Sequence, residues 1–581
     1  MKPKILSILL VSIIMASLSA QTNITVSNPS VLSILQGNYN PSIYASSNVI
    51  NFPDSISLGI WRDISPDSIK ANIIQLSTFK NRNSGSDTMS STEGIGAART
   101  WVYQKFQEYS LQQENRLVPF YLQFDRTICS ITKHKNICAV LPGSDTSDKS
   151  IIIIEGHIDS RCEDVCDIIC NAQGIEDNAS GTALVMELAR VMSKFTYQHT
   201  IVFLISTAEE QGLYGAEAFA DFTTLNNIEV KAVQNNDVIG GILCGETSSP
   251  PSCPGIGNVD STHVRVFSFG NFNSKHKGFA RFNKLEYQEQ LLPHVETPME
   301  IWIMSPEDRT GRSGDHVPFR QKNYPSIRYT SANEHGDANV SDTAYTDRQH
   351  SVRDTLGIDT DNDDIIDSFF VDFRYLARNA YINGNAAAMA AIGPKQPDFL
   401  LTAIGTNMIR IEVTDQTQYN AYRVGVRSTS HDWDTVFTMT NTLVDSFDVS
   451  SINNVIYVSI MSVDDDGIES LPSREYTVNI SSIDNGVVDA EPSVQLLQNR
   501  PNPFDESTYI QFIAKESFQY KKAEIIITSI NGVQIRIIPI EIQTGINEVL
   551  YTHGYGATGL LHYSLVIDGR IIETKSMVFA N

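Results

Sequence analysis

The hydrophobic rhythm of the chain changes twice. Between about Asp67 and Ile392, apolar runs of strand length alternate with segments whose apolar positions recur every three to four residues. "IGAARTWVYQKFQEYS" and "SGTALVMELARVMSKF" read as amphipathic helices, while "SIIIIEG" and "TIVFLIST" read as strands covered on both faces. This alternation predicts an α/β domain over residues 67–392. After Gly393-Pro394-Lys395-Gln396-Pro397 the helical period disappears. The segments "MIRIEVTD", "AYRVGVRS" and "VIYVSIMSVDDDGIESLPS" alternate with a period of two, which predicts an all-β sandwich over residues 396–482. A second break at Asp484-Asn485-Gly486 leads into another small β module, residues 490–581.

The N-terminal end has a different character. Residues 1–20 carry two lysines, an apolar stretch from Ile5 to about Met15, and a small-residue ending, Leu18-Ser19-Ala20, the pattern of a secretory signal peptide. No later run approaches the roughly 20 apolar residues of a membrane helix, so an exported protein with no transmembrane segment after signal removal is expected. Residues 21–66 are rich in Ser and Asn with little periodicity, and an N-terminal extension or pro-segment is expected there.

Charge narrows the partners. Lys+Arg of 43 against Asp+Glu of 67 gives −24 with no basic cluster, which disfavours nucleic acid. Export permits disulfides. Cys129 and Cys138 flank "SITKHKNI" and Cys244 and Cys253 flank "GETSSPPS", so each pair is expected to close a short loop. Cys162, Cys166 and Cys170 bring the total to seven, which leaves one thiol over.

Candidate chemistry gathers at the ends of the predicted strands. His157 ends the "IIIIEG" strand, at the edge where open α/β sheets bind ligands. Glu209 and Glu210 follow "TIVFLIST", and a βαβ connection brings them to the same edge. Asp177 and Asn178 precede the intervening helix, where a carboxylate also serves as a cap. Asp237 in "VQNNDVIGG" and His350 in "DRQHSVRDT" complete an inventory able to hold two divalent ions. Imidazole combined with carboxylate suits zinc better than calcium or magnesium. Adjacent glutamates suit two tasks, one ligating a metal and one handling a proton.

"GHIDS", "GIEDNASG", "STAEEQGLYGA", "NNDVIGG" and the late histidine closely resemble the M28 zinc aminopeptidases, over about residues 70–392. "STFKNRNSGS", "GIGAARTWVYQKF", "EDRTGRSGDHVPF" and "NYPSIRYTSANE" are similar to a branch of that family in exported Bacteroidetes proteins. The resemblance implies an α/β/α sandwich with a mixed, largely parallel sheet, two zinc ions per chain, and peptide substrates with a free N-terminus. It implies His157 and Asp237 on one zinc, Glu210 and His350 on the other, and Asp177 bridging both, with His335 as the alternative to His350. Glu209 resembles the general base and Asp159 the carboxylate that orients His157. Asp315, His316 and Arg312 are expected near the substrate pocket, and the loop "RCEDVCDIIC" near its entrance. Arg309 and Arg312 keep a carboxypeptidase or dipeptidase reading open. The same motifs also leave open a one-zinc glutaminyl cyclase and a catalytically inactive surface adhesin.

The first β module resembles a fibronectin type III domain. The second, with "LQNRPNPFDESTYIQF" and "GATGLLHYSLVIDGRIIETKSMVFAN", is similar to the C-terminal sorting domain of type IX secretion. Together with the signal-peptide pattern at residues 1–20, the sorting-domain likeness implies Sec export, then passage through the type IX machinery, and an extracellular or outer-surface location.

Overall fold

The computed structural model describes residues 22–243, 258–309, 312–333, 348–479 and 494–579, less isolated positions and short turns in the last two spans. In chain order the first elements are β1 (Thr22–Val26), α1 (Pro29–Leu35), α2 (Pro53–Asp63), α3 (Pro66–Ser77), α4 (Gly94–Gln112), β2 (Val118–Ile128) and β3 (Ile131–Leu141). Next come β4 (Ile151–His157), α5 (Ser180–Met192), β5 (Thr200–Ser206), α6 (Tyr214–Leu225), β6 (Val230–Asn236), β7 (His263–Ser268) and α7 (Lys275–Glu286). This part closes with β8 (Glu300–Ile303), α8 (His316–Gln321), β9 (Ser326–Ser331), the short hairpin β10 (Gly357–Ile358) and β11 (Ser368–Phe369), and α9 (Phe373–Ile392).

Nine strands form one sheet in the order β1-β2-β3-β5-β4-β6-β9-β7-β8. The centre, β5-β4-β6-β9, is parallel, and β1, β2 and β3 add an antiparallel flank. Every residue of β4 and β5 is buried, which accounts for their unbroken apolar sequences. Ile152 and Ile154 of β4 pack with α2, α3, α4, α5, α7 and α9 on one face, while Ile151 and Ile153 pack with α1, α6 and Phe319 of α8 on the other. The chain is therefore an α/β/α sandwich here, the α/β class that the alternation predicts in the layering that the resemblance implies.

The N-terminal segment is part of this sandwich. β1 pairs antiparallel with β2, and Val31, Ile34 and Leu35 of α1 are fully covered. Ile56 and Ile60 of α2 join the core beside α9. α1, at seven residues, is too short to display a helical period, and α2 shows one only in Ile56 and Ile60. They are set instead by Pro at their first turns, and the Asn28 side chain accepts the Ser30 N–H at the start of α1.

Strands β12 (Phe399–Ile404), β13 (Met408–Val413), β14 (Ala421–Arg427), β15 (Thr435–Thr440), β16 (Val444–Asp448), β17 (Val455–Val463) and β18 (Tyr476–Asn479) follow. They form a three-stranded sheet β12-β13-β16 and a four-stranded sheet β15-β14-β17-β18. Phe399 meets Tyr476 and Phe437 meets Phe447 between the two sheets. This sandwich shares one compact unit with the α/β part. Glu475 accepts hydrogen bonds from Arg281 of α7 and from Arg427 of β14, and all three are buried.

A separate unit covers Val487–Asn581. Its strands β19 (Val494–Leu496), β20 (Ser507–Ala514), β21 (Ala523–Ser529), β22 (Gln534–Pro539), β23 (Gly545–Thr552), β24 (Gly559–Ile567) and β25 (Arg570–Phe579) form the sheets β19-β20-β23 and β22-β21-β24-β25. Among the described residues no helix is long and apolar enough to cross a membrane.

Cys129 pairs with Cys166, and Cys162 with Cys170, leaving Cys138 free and buried. This corrects the expected Cys129–Cys138 pair. Cys129 lies in the turn between β2 and β3, whereas Cys138 lies well along β3 opposite Phe120. At about 3.3 Å per residue, the strand holds the two thiols far apart. Cys244 and Cys253 lie outside the described residues.

Candidate metal centre

Parallel pairing sets the site. His157 is the last residue of β4 and aligns with Ser206 at the end of β5, and Glu155 aligns with Asn235 near the end of β6. His157, Glu209 and Asp237 therefore leave the sheet at the same edge. Asp177 arrives from the irregular turn Ile175–Ala179 that leads into α5. Gly181 lets this helix approach β6, because a methyl group there would collide with the carbonyl of Asn236.

The ligating atoms of His157, Glu209 and Asp237 lie within 4.8 Å of one another, and so do those of Asp177, Glu210 and His350. Asp177 faces both groups. Its Oδ1 is 3.3 Å from His157 Nε2, and its Oδ2 is 3.1 Å from His350 Nε2. Asp237 Oδ1 lies 3.4 Å from His157 Nε2, and Glu210 Oε2 lies 3.3 Å from His350 Nε2. His335 lies outside the described residues.

Asp177 is not the helix cap. Asn178 Oδ1 accepts the Gly181 N–H at 2.9 Å, and Asn178 Nδ2 donates to the Asn236 carbonyl. Asp354 holds the turn from outside, its two carboxylate oxygens accepting the N–H groups of Glu176 and Asp177 at 2.8 and 3.0 Å. Arg82, fully buried, donates to the carbonyls of Ile158 and Gly174 on either side of the loop between His157 and Asp177.

His157 Nδ1 donates to the backbone carbonyl of Asp159 at 3.1 Å, which leaves Nε2 facing the carboxylates. The Asp159 carboxylate also lies 3.6 Å from Nδ1, beside His157 as expected, and has a second task. Its two oxygens accept the N–H groups of Glu209 and Glu210, each at 3.2 Å, and fix the backbone that carries both glutamates.

Electrostatics in the site are strained in the manner of a cation-binding cluster. Burial pushes Glu209 well above the ordinary carboxylate range, His157 opposing and Asp237, Asp315 and Glu210 reinforcing it. Burial and then Asp177 push Glu210 up to about 7, against His350 and Arg161. Burial works against charge on His157, yet the surrounding carboxylates hold it well above the usual imidazole value. Asp177 is held well below the usual range, since its bonds to His157 and His350 outweigh its burial. Glu210 Oε1 is buried with no hydrogen-bond partner among the described residues. A set of two imidazoles and four carboxylates, the carboxylates crowded against one another and one oxygen orphaned, fits divalent cations of the zinc type.

Two arginines from the sequence motifs border the cluster. Arg161 donates to Glu210 Oε2 at 2.9 Å and to His350 Nδ1 at 2.6 Å, and Arg312 lies 3.2 Å from the same nitrogen. A donor at Nδ1 leaves the proton of His350 on Nε2, so ligation through Nε2 requires these guanidinium groups to swing aside. Arg161 opens the loop pinned by the two disulfides, whose carbonyls also accept from Asn81 and Asn83.

Asp315 and His316 do not line an open pocket. Both are fully buried, with Asp315 accepting from Ser206 at 2.5 Å and His316 bonding the Glu307 carbonyl. Ser206 also donates to Glu155 at 2.6 Å. One hydroxyl proton cannot serve both acids, so the Glu155–Asp315 pair retains a proton, in keeping with burial raising both. The segment turns inward because α8 packs Phe319 into the core beneath the sheet edge. Arg309 is bonded to Asp308 and only 6% exposed. Sequence reading missed Arg82, Arg161, Asp308, Arg328 and Asp354. Each lies within or beside a quoted motif, but its partner is distant in sequence.

The model of the family described as "Peptidase family M28" matches residues 136–247. A "Probable zinc metalloprotease" of Leptosphaeria maculans is 31% identical over 395 residues, 65% of this chain and 87% of that protein. One of Pyrenophora teres f. teres is 29% identical over 395 residues, 65% of this chain and 78% of that protein. Among solved structures, the LapA aminopeptidase of Legionella pneumophila aligns with 61% of this chain and 80% of its own at 16% identity, TM-score 0.42, a likeness that carries no argument about activity. With the two ligating triads at the C-terminal sheet edge and a relative of this identity and coverage, the chain belongs to peptidase family M28 and is a zinc-dependent metallopeptidase.

Proposed function

We propose that the chain is an exported aminopeptidase working with two zinc ions. The observation that carries this reading is Asp177, which turns one oxygen to the His157 group and the other to the His350 group. His157 and Asp237 would hold one ion, Glu210 and His350 the other, and Asp177 both. Bound there, zinc supplies Lewis acidity toward a peptide carbonyl and eases deprotonation of water.

Glu209 takes the proton of the attacking water and returns it to the leaving amine. Its backbone N–H is fixed by Asp159, so its carboxylate stays beside His157 and Asp237 without having to search for its place. An ion held there would also offer a site for the free α-amine of the substrate, which is what would restrict cleavage to N-termini. Two disulfides support an oxidising compartment. We read residues 1–20 as a Sec leader, the sandwich at 396–482 as a fibronectin type III-like companion, and residues 490–581 as a type IX address that brings the enzyme to the cell surface or medium.

The test compares free-amine peptides with their N-acetylated forms, using the wild type and Glu209→Gln. Cleavage of free-amine peptides alone, lost in Glu209→Gln, is expected. Equal cleavage of acetylated peptides rules out the aminopeptidase reading.

A further inference from the structure

One metal-facing carboxylate is gripped from behind by a fully buried arginine. Arg328 projects from β9, and its Nη2 donates to Asp237 Oδ2 at 2.9 Å and to the Asp237 backbone carbonyl at 3.3 Å. The other Asp237 oxygen, Oδ1, is the one that faces His157. The second terminal nitrogen of Arg328, Nη1, donates to both oxygens of Asp308, at 3.1 and 2.9 Å, and to the Ser313 carbonyl at 2.9 Å. Asp308 is fixed in turn by the backbone N–H of Arg309 at 2.7 Å and by its Nε at 3.2 Å. Gly314 makes room for this guanidinium, since a Cβ there would come within 3.0 Å of Arg328 Nη1.

A buried guanidinium that merely balanced charge would need one carboxylate. Arg328 has two, and Asp308 stays ionised beside it, because Arg328 and Arg309 outweigh burial and hold its carboxyl well below the usual range. The planar fork fixes two directions at once, which a lysine ammonium cannot do. Asp237 is therefore held at both its backbone and its carboxylate, with one oxygen committed to Arg328 and one left for the cluster.

We propose that Arg328, anchored by Asp308, is a positioning residue for the metal centre that limits Asp237 to a single ligating oxygen and sets how tightly the ion beside His157 is held. This rests on the reading of Asp237 as a zinc ligand. Outer partners of metal ligands typically contribute about 10–100-fold in metal affinity. An effect of that size is expected on one ion and little on the other, because Glu210 and His350 are bordered by Arg161 and Arg312 instead.

The experiment uses the full chain as wild type, Arg328→Met, Arg328→Lys and Asp308→Asn. Zinc retained after dialysis against increasing chelator is measured, together with the visible spectrum after cobalt substitution and the circular dichroism of each variant. The wild type is expected to retain two equivalents. Arg328→Met should lose one of them at about 10–100-fold lower chelator, with Arg328→Lys and Asp308→Asn intermediate and the spectrum altered for one ion. If Arg328→Met does not fold, the other two variants decide, since each keeps a charged or polar group in place. Variants with wild-type zinc retention and cobalt spectra overturn the inference alone. A wild type that binds no zinc overturns the zinc reading, and the inference with it.

Discussion

Replacing Glu475 by Gln tests whether the first β-sandwich is a structural part of the peptidase. Glu475 is 4% exposed and accepts from Arg281 Nη2 at 2.8 Å, from Arg427 Nε and Nη2 at 2.6 and 2.8 Å, and from the Asn273 N–H at 2.8 Å. The substitution removes the negative charge and leaves two buried guanidinium groups facing each other. Loss of one partner of such a buried cluster costs about 3–5 kcal/mol. At about 2.1 cal/mol/K per residue, a cooperative unit of roughly 460 residues has an unfolding entropy near 1 kcal/mol/K, so the midpoint should fall by about 3–5 °C. Scanning calorimetry of the full chain, with Asp445→Asn at a half-buried position on the edge strand β16 as control, reads this directly. A Glu475→Gln midpoint within 1 °C of wild type, or a wild-type sandwich that melts apart from the α/β part, would show that the sandwich is not a structural part of the peptidase.

Glu469 at the same contact titrates in the opposite sense. Burial, then Glu289, push it up to about 7 against Arg423. Its folded pKa lies above the ordinary 4.5, so its contribution is complete below pH about 4.5 and is lost as pH rises through about 7. The thermal midpoint should fall between pH 5 and 7.5, and Glu469→Gln should flatten that slope; an unchanged slope contradicts the assignment. Glu475, held below the ordinary value by Arg281 and Arg427 despite its burial, contributes above that value, and its contribution fades as pH falls below it. Ile60→Ala in α2, at a fully buried position, should destabilise the α/β unit by about 2–5 kcal/mol; a loss under 1 kcal/mol in denaturant unfolding would show that the N-terminal segment is dispensable to the core. Reduction of the two disulfides should free the loop that carries Arg161, raising proteolytic nicking between Arg161 and Cys170 before global unfolding; protection equal to that of the oxidised chain would show that other contacts hold the loop.

The parallel core was legible because β4 and β5 are buried on both faces, so "IIII" and "IVFLI" carry their environment in their composition. The placement of His157, Glu209 and Asp237 followed, since parallel strands release such residues at one edge. The supporting arginines were not legible. Arg328 reaches Asp308 and Asp237 across 20 and 91 positions of sequence, and nothing local marks a guanidinium that will be buried. The disulfide pairing failed for a related reason: proximity in sequence suggested Cys129–Cys138, whereas the β2–β3 hairpin carries Cys138 away and brings Cys166 in from the loop beside the site. Residues 21–66 looked formless because their helices are held by tertiary contacts rather than by their own periodicity.

The zinc content of the purified chain, determined for the wild type, Asp177→Asn and His350→Ala after removal of loosely held metal, decides whether the site holds two ions. Two ions would give about two equivalents in the wild type, about one in His350→Ala, and a loss of both affinities in Asp177→Asn, because that carboxylate faces both groups. A wild type with one equivalent that His350→Ala leaves untouched would contradict it.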